Sequence, residues 1–224
     1  MYKLDIDREK FWNGCILAVI AHAVMTAHYP EFSFEQSWDG INYNVQNGAG
    51  TRGTITFHDE LIVAAFRNEQ SGRLHRNDLT QTAQKSLHNA PSAVYEVAMS
   101  ETLQYLLDEL DGQTIPLITT LFYCVNGDFV SNDNIEDLFE HGAEIIQTQL
   151  LGYTDEAMKR WQDYYEMTQE QSDLVLSLFH RKLQNPGTEI RLTQVEANLI
   201  GLENAEGIEE CRESLEELGI VLPI

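Results

Sequence analysis

The sequence predicts an α+β protein: an N-terminal helix packed on a three-stranded antiparallel β-meander, followed by a mainly α-helical acidic region. Three observations predict it. Apolar residues recur every three or four positions from Phe11 to Ala27; the period then shortens to two between about residues 41 and 66; helical spacing returns and runs almost to the last residue. With 224 residues, 43% of them hydrophobic, the chain can bury a core without disulfide or metal staples. The organisation this implies is a helix-plus-sheet lobe over 1–91 and an acidic helical lobe over 92–224, as two lobes or one compact domain.

Asp7 is a suitable N-cap for a first helix reaching about His28, where Pro30 stops it. Phe11, Cys15, Val19, His22 and Thr26 place one apolar face of that helix on a core. Ile41, Tyr43 and Val45 alternate with polar residues, Asn47-Gly48-Ala49-Gly50 makes a turn, and 51–57 and 61–66 complete the meander. The last strand is apolar on both sides, as a central or covered strand is. The polar stretch 68–91 reads as loop with a short helix. Val94 to Leu110 reads as one helix.

Residues 115–125 carry conflicting signals. Thr114, Pro116 and Gly127 punctuate a helix, whereas the β-branched and aromatic content favours a strand; helix is the reading adopted. Amphipathic helices follow at 135–150, around Trp161, and at 174–183. Thr193 and Glu196 form a capping-box pattern, and the last helix carries Ile208, Cys211, Leu215 and Leu218, with Gly219 as its stop.

Charge narrows the functional classes. The chain has 36 acidic and 14 basic residues, a net charge of −22. Residues 1–91 account for −2 and residues 92–224 for −20. Glu203, Glu206, Glu209, Glu210, Glu213, Glu216 and Glu217 crowd one short stretch in which Arg212 is the only base. Like charges three and four apart oppose helix formation, so this density works against stability. It suits a surface that steers a basic protein partner and does not suit nucleic acid, whose phosphates need cations. Trp38 and Tyr43 are candidate aromatic anchors for such a contact. The leading expectation is therefore a non-enzymatic interaction module, for which an inhibitor or immunity-type protein would fit.

The alternative is a small hydrolase. His58 and Glu60 flank a turn and could share one metal site, and Cys15 could be a thiol nucleophile if a histidine reached it. Neither has the spacing that identifies such enzymes, and no cofactor motif is present: phosphate loop, dinucleotide fingerprint, nucleophile elbow and paired-histidine zinc motif are all missing. His22 and His28 are six residues apart, on different helix faces. Arg67, Arg73, His75 and Arg76 form a basic cluster that could receive an anion.

Cys15, Cys124 and Cys211 are odd in number and far apart, which predicts free thiols in a reducing, cytoplasmic setting. Asp5, Asp7 and Glu9 cancel the bases before the first apolar run, so it lacks the positive flank of a secretory leader, and it is too short to span a bilayer.

Overall fold

The computed structural model describes residues 1–75, 82–110, 112–201 and 204–223. In chain order its elements are β1 (Tyr2–Leu4), α1 (Arg8–Thr26), β2 (Gln36–Asp39), β3 (Asn42–Gln46), β4 (Thr51–His58), β5 (Leu61–Asn68), α2 (Thr82–Leu87) and α3 (Ser92–Ser100). They continue with β6 (Leu107–Leu110), β7 (Gln113–Pro116), β8 (Thr120–Val125), β9 (Asp128–Ser131), α4 (Ile135–Glu140) and α5 (Gln147–Leu150). The last are α6 (Asp155–Tyr165), α7 (Gln169–Gln184), β10 (Ile190–Arg191), α8 (Gln194–Ile200), α9 (Ala205–Glu217) and β11 (Ile220–Val221). The protein is α+β, and the chain forms two compact units. Met1–Arg8 with Ile41–Gln147 make the first; Glu9–Gly40 with Thr148–Ile224 make the second. The boundary expected at residue 91 falls inside the first unit.

The sheet has seven strands, six of them in the first unit in the order β1–β9–β8–β5–β4–β3. All five pairings among those six are antiparallel. The meander β3–β4–β5 is therefore the flank of a larger sheet, and α1 belongs to the second unit. β5 pairs with β4 over its whole length and with β8 from Ile62 to Phe66, which explains its two apolar sides. One of its faces is covered by a core of Val63, Ala65, Leu87, Val94, Leu103, Ile118, Leu121 and Tyr123.

Three expectations for this unit are corrected. Residues 115–125 are not helix: 115 and 116 end β7, and Thr120–Val125 is β8, sandwiched between β5 and β9. Its β-branched and aromatic side chains fit a pleated, doubly buried position, and that outweighs the helix-like punctuation around it. The helix expected over 94–110 ends at Ser100, passes through a 3-10 turn and becomes β6, hairpinned to β7. The helix expected over 135–150 breaks at Gly142, whose φ of +130° only glycine adopts without strain. The described residues after residue 91 thus supply six strands, β6 to β11, as well as helices.

In the second unit α1 is not amphipathic. Every residue from Gly14 to Thr26 is buried, as expected for a helix apolar all round. Two glycines allow backbones to close on it, one contact falling within the helix and the other just past its last residue. A Cβ on Gly14 would lie 1.8 Å from the Gln149 carbonyl oxygen, and one on Gly207 of α9 would lie 2.2 Å from that of Ala27. α8 begins with the expected capping box, Thr193 accepting from the Glu196 amide and Glu196 answering the Thr193 amide. α7 has a second such box in Thr168 and Gln171.

Counted by unit, acidity is shared. The first unit has seventeen acidic and seven basic residues, net −10; the second has nineteen and seven, net −12. The step at residue 91 reflects chain order and not the structural division.

Candidate functional site

The site with most chemical content lies in the second unit and starts from α9. Asn204 caps this helix, its side chain accepting from the amides of Glu206 and Gly207 at 3.1 and 3.3 Å. Gly207, Cys211, Ser214 and Leu215 are its buried residues. At 3.6 residues per turn, the carboxyl-bearing positions 206, 209, 210, 213, 216 and 217 fall within about 120° of the opposite side. Five of these six glutamates are exposed and Glu210 is half-buried. Glu203 lies outside the described residues. Arg212 is ion-paired with Glu209. The face therefore stays strongly anionic.

At the C-terminal end of α9 the surface sinks into a cavity of about 540 Å³ lined by Trp12, Trp38, Glu9, Glu217, Lys182 and Leu183, among others. That volume is within the range of small-ligand pockets. Trp12 and Trp38 meet edge to face, centroids 5.1 Å apart and planes at 86°, forming a corner of two aromatic walls. The Trp38 indole donates to the Gly40 carbonyl at 3.0 Å, and its backbone amide donates to Glu217 Oε2 at 2.8 Å. Partial burial, then the nearby charges of Asp39 and Glu213, raise the Glu217 carboxyl above its ordinary range, although the Trp38 amide opposes this. Lys182 donates its ammonium to the Leu218 carbonyl at the end of α9, where a cation suits the helix terminus. Trp38 and Glu217, two of the residues singled out in the sequence, thus share one wall. Tyr43 does not join them. It is fully buried in the first unit and cannot be an exposed anchor.

The other candidates meet different fates. His58 ends β4 at an exposed hairpin turn, 3.7 Å from the Asp59 carboxylate, and among the described residues no group of three or more His, Cys, Asp or Glu is placed to hold a metal ion. Cys15 is fully buried within α1 and burial pushes its thiol up, the opposite of nucleophile activation. Cys124 and Cys211 are likewise free and buried. In the basic cluster, Arg67 pairs with Asp108 and lies 2.7 Å from Glu69, and Arg73 makes a two-pronged bond to Asp133 at 2.7 and 2.8 Å. These two arginines are committed to internal carboxylates. Arg76 and the His75 side chain lie outside what is described.

Two networks had no signal in the sequence because their members are far apart in the chain. In the second unit the buried His22 meets the Ser33 carbonyl and the Tyr165 hydroxyl, and Gln36 donates to that hydroxyl in turn. In the first, Ser71 Oγ lies 2.8 Å from His141 Nδ1 and accepts the Arg73 amide at 3.2 Å. A hydroxyl aimed at an imidazole is a nucleophile's arrangement. Here, however, Ser71 is buried and closes a local turn.

Comparison with protein-family models, curated proteins and solved structures finds no match for this chain. Among the described residues no helix is long and apolar enough to cross a membrane.

Proposed function

We propose that this chain is a non-enzymatic interaction module that binds a basic protein, an inhibitor or immunity-type role being one that fits. The observation that carries the reading is the exposed carboxylate face of α9, anchored by a buried stripe on the other side of the same helix. Holding six carboxylates side by side on one helix face opposes folding, and a cationic partner offsets that repulsion. The field acts chiefly on encounter rate and partner choice, so binding weakens as salt rises. The same field repels phosphate backbones, which argues against a nucleic-acid partner.

The test is affinity capture from the native lysate at low ionic strength, with the full chain and with a Glu206→Lys/Glu209→Lys/Glu213→Lys variant. A basic protein retained by the first, lost at high salt and lost by the variant is the expected result. Capture of the same proteins by both chains refutes the role of this face.

A further inference from the structure

The acidic face explains attraction but not recognition, since a row of solvated carboxylates binds any cation weakly. The cavity beside it has more specific chemistry. Among the described residues, neither Glu9 nor Glu217 in its lining is ion-paired with a lysine or arginine. Lys182, the one base in the lining, is engaged by the Leu218 carbonyl. Glu217 stands in the last turn of α9, where the helix presents unsatisfied carbonyls and a carboxylate is disfavoured. Asp39 and Glu213 add like charge. Among the described residues the Trp38 amide is the one hydrogen-bond donor to Glu217, and with two carboxylates against one ammonium the lining keeps a net negative charge that suits a cation from outside.

The aromatic corner specifies which kind. Trp12, half-buried, and Trp38, 7% exposed, line the cavity at right angles to each other, and Ile16, Leu183, Pro186 and Leu218 add an apolar wall for a methylene stem. A guanidinium suits this combination better than an ammonium. It is planar, weakly hydrated and able to stack on an indole while its fork meets a carboxylate. We infer that the pocket is a receptor for an arginine side chain, which packs against Trp12 and Trp38 and ends on the Glu217 carboxylate. This rests on the reading of the chain as a binder of a basic protein, and it names the residue of the partner that is read.

The experiment uses the full chain carrying Trp161→Phe, so that Trp12 and Trp38 are the only fluorophores of their kind; among the described residues the Trp161 indole nitrogen has no hydrogen-bond partner to lose. The probe is a blocked Ala-Arg-Ala tripeptide, titrated beside its lysine and citrulline counterparts. The expected result is a saturable fluorescence change for the arginine peptide, several-fold weaker binding for lysine and none for citrulline, the neutral isostere. Glu217→Gln, checked for an unchanged melting temperature, weakens the arginine peptide by about tenfold, as loss of a charged hydrogen bond does. Glu170→Gln, exposed in the first turn of α7 and outside the pocket, leaves it within about twofold. Equal binding of citrulline, tighter binding of lysine, no saturation, or no effect of Glu217→Gln overturns the proposal. If the arginine peptide fails while the triple lysine variant still loses captured proteins, the pocket is refuted and the acidic face stands. The reverse pattern refutes the face alone.

Discussion

His22 provides the sharpest test of the second unit's interior. Its Nε2 lies 3.3 Å from the Ser33 carbonyl oxygen, which can only accept, so Nε2 carries the proton of the neutral ring. Nδ1 then accepts from the Tyr165 hydroxyl at 3.0 Å, and that oxygen accepts from Gln36 Nε2 at 3.2 Å. In the neutral ring both nitrogens have partners, and burial away from water disfavours adding a charge. Burial lowers its pKa to about 4, with the Ser33 carbonyl opposing.

The unfolded chain, titrating near 6.5, therefore binds more protons than the folded one between about pH 6.5 and about pH 4, and stability falls as pH drops through that window. At about 1.4 kcal/mol per pKa unit the full loss is about 3 kcal/mol, of which about 2 kcal/mol is spent by about pH 5. Trp12, Trp38 and Trp161 all lie in the second unit, so urea unfolding followed by tryptophan fluorescence reports that unit alone. His22→Gln keeps a donor and an acceptor but cannot titrate. The wild type should lose about 2 kcal/mol more than this variant between about pH 7.5 and about pH 5. Parallel pH profiles for the two proteins would refute the reasoning.

Two further substitutions probe packing and pairing. Gly207→Ala places a methyl 2.2 Å from the Ala27 carbonyl oxygen and 3.0 Å from that of Thr26, both of them backbone atoms that cannot swing aside. The strain should outweigh the gain of about 1 kcal/mol in helix propensity and cost about 2 kcal/mol net in the fluorescence-detected transition, whereas Gly187→Ala, in open space, should be neutral. Asp133→Ala removes the counter-charge of the half-buried Arg73 guanidinium, leaving it the Thr119 carbonyl at 2.7 Å, and removes the acceptor of the Thr120 hydroxyl at 2.6 Å. A loss of about 3 kcal/mol is expected, read as faster amide exchange in β8 and β9, and unchanged exchange there would contradict the assigned role.

Local signals in the sequence were reliable where neighbours along the chain decide the outcome. The capping box at Thr193 and Glu196, the strands β3 to β5 with their turns, and the helices around Trp161 and Val175 all depend on residues within a few positions of one another. Local signals mislead where distant pairing decides. Thr120–Val125 is a strand because β5 and β9 flank it, and the 135–150 helix breaks where Gly142 adopts a conformation its neighbours do not. For the candidate site, the glutamate run and Trp38 were legible as composition. Their meeting through Glu217, and the presence of Trp12 and Lys182 in the same cavity, were not.

The sequence by itself determined the α+β class, the density of carboxylates over residues 203–217 and the run of apolar residues that becomes the buried helix α1. Only the tertiary structure decided which residues share a unit, that β5 lies inside a larger sheet, and that Trp12 and Trp38, twenty-six positions apart, form one corner. The physical reason is range. Helix periodicity and capping arise from bonds three or four residues apart, whereas sheet order and cavity walls arise from contacts whose partners the chain brings together only once it has folded.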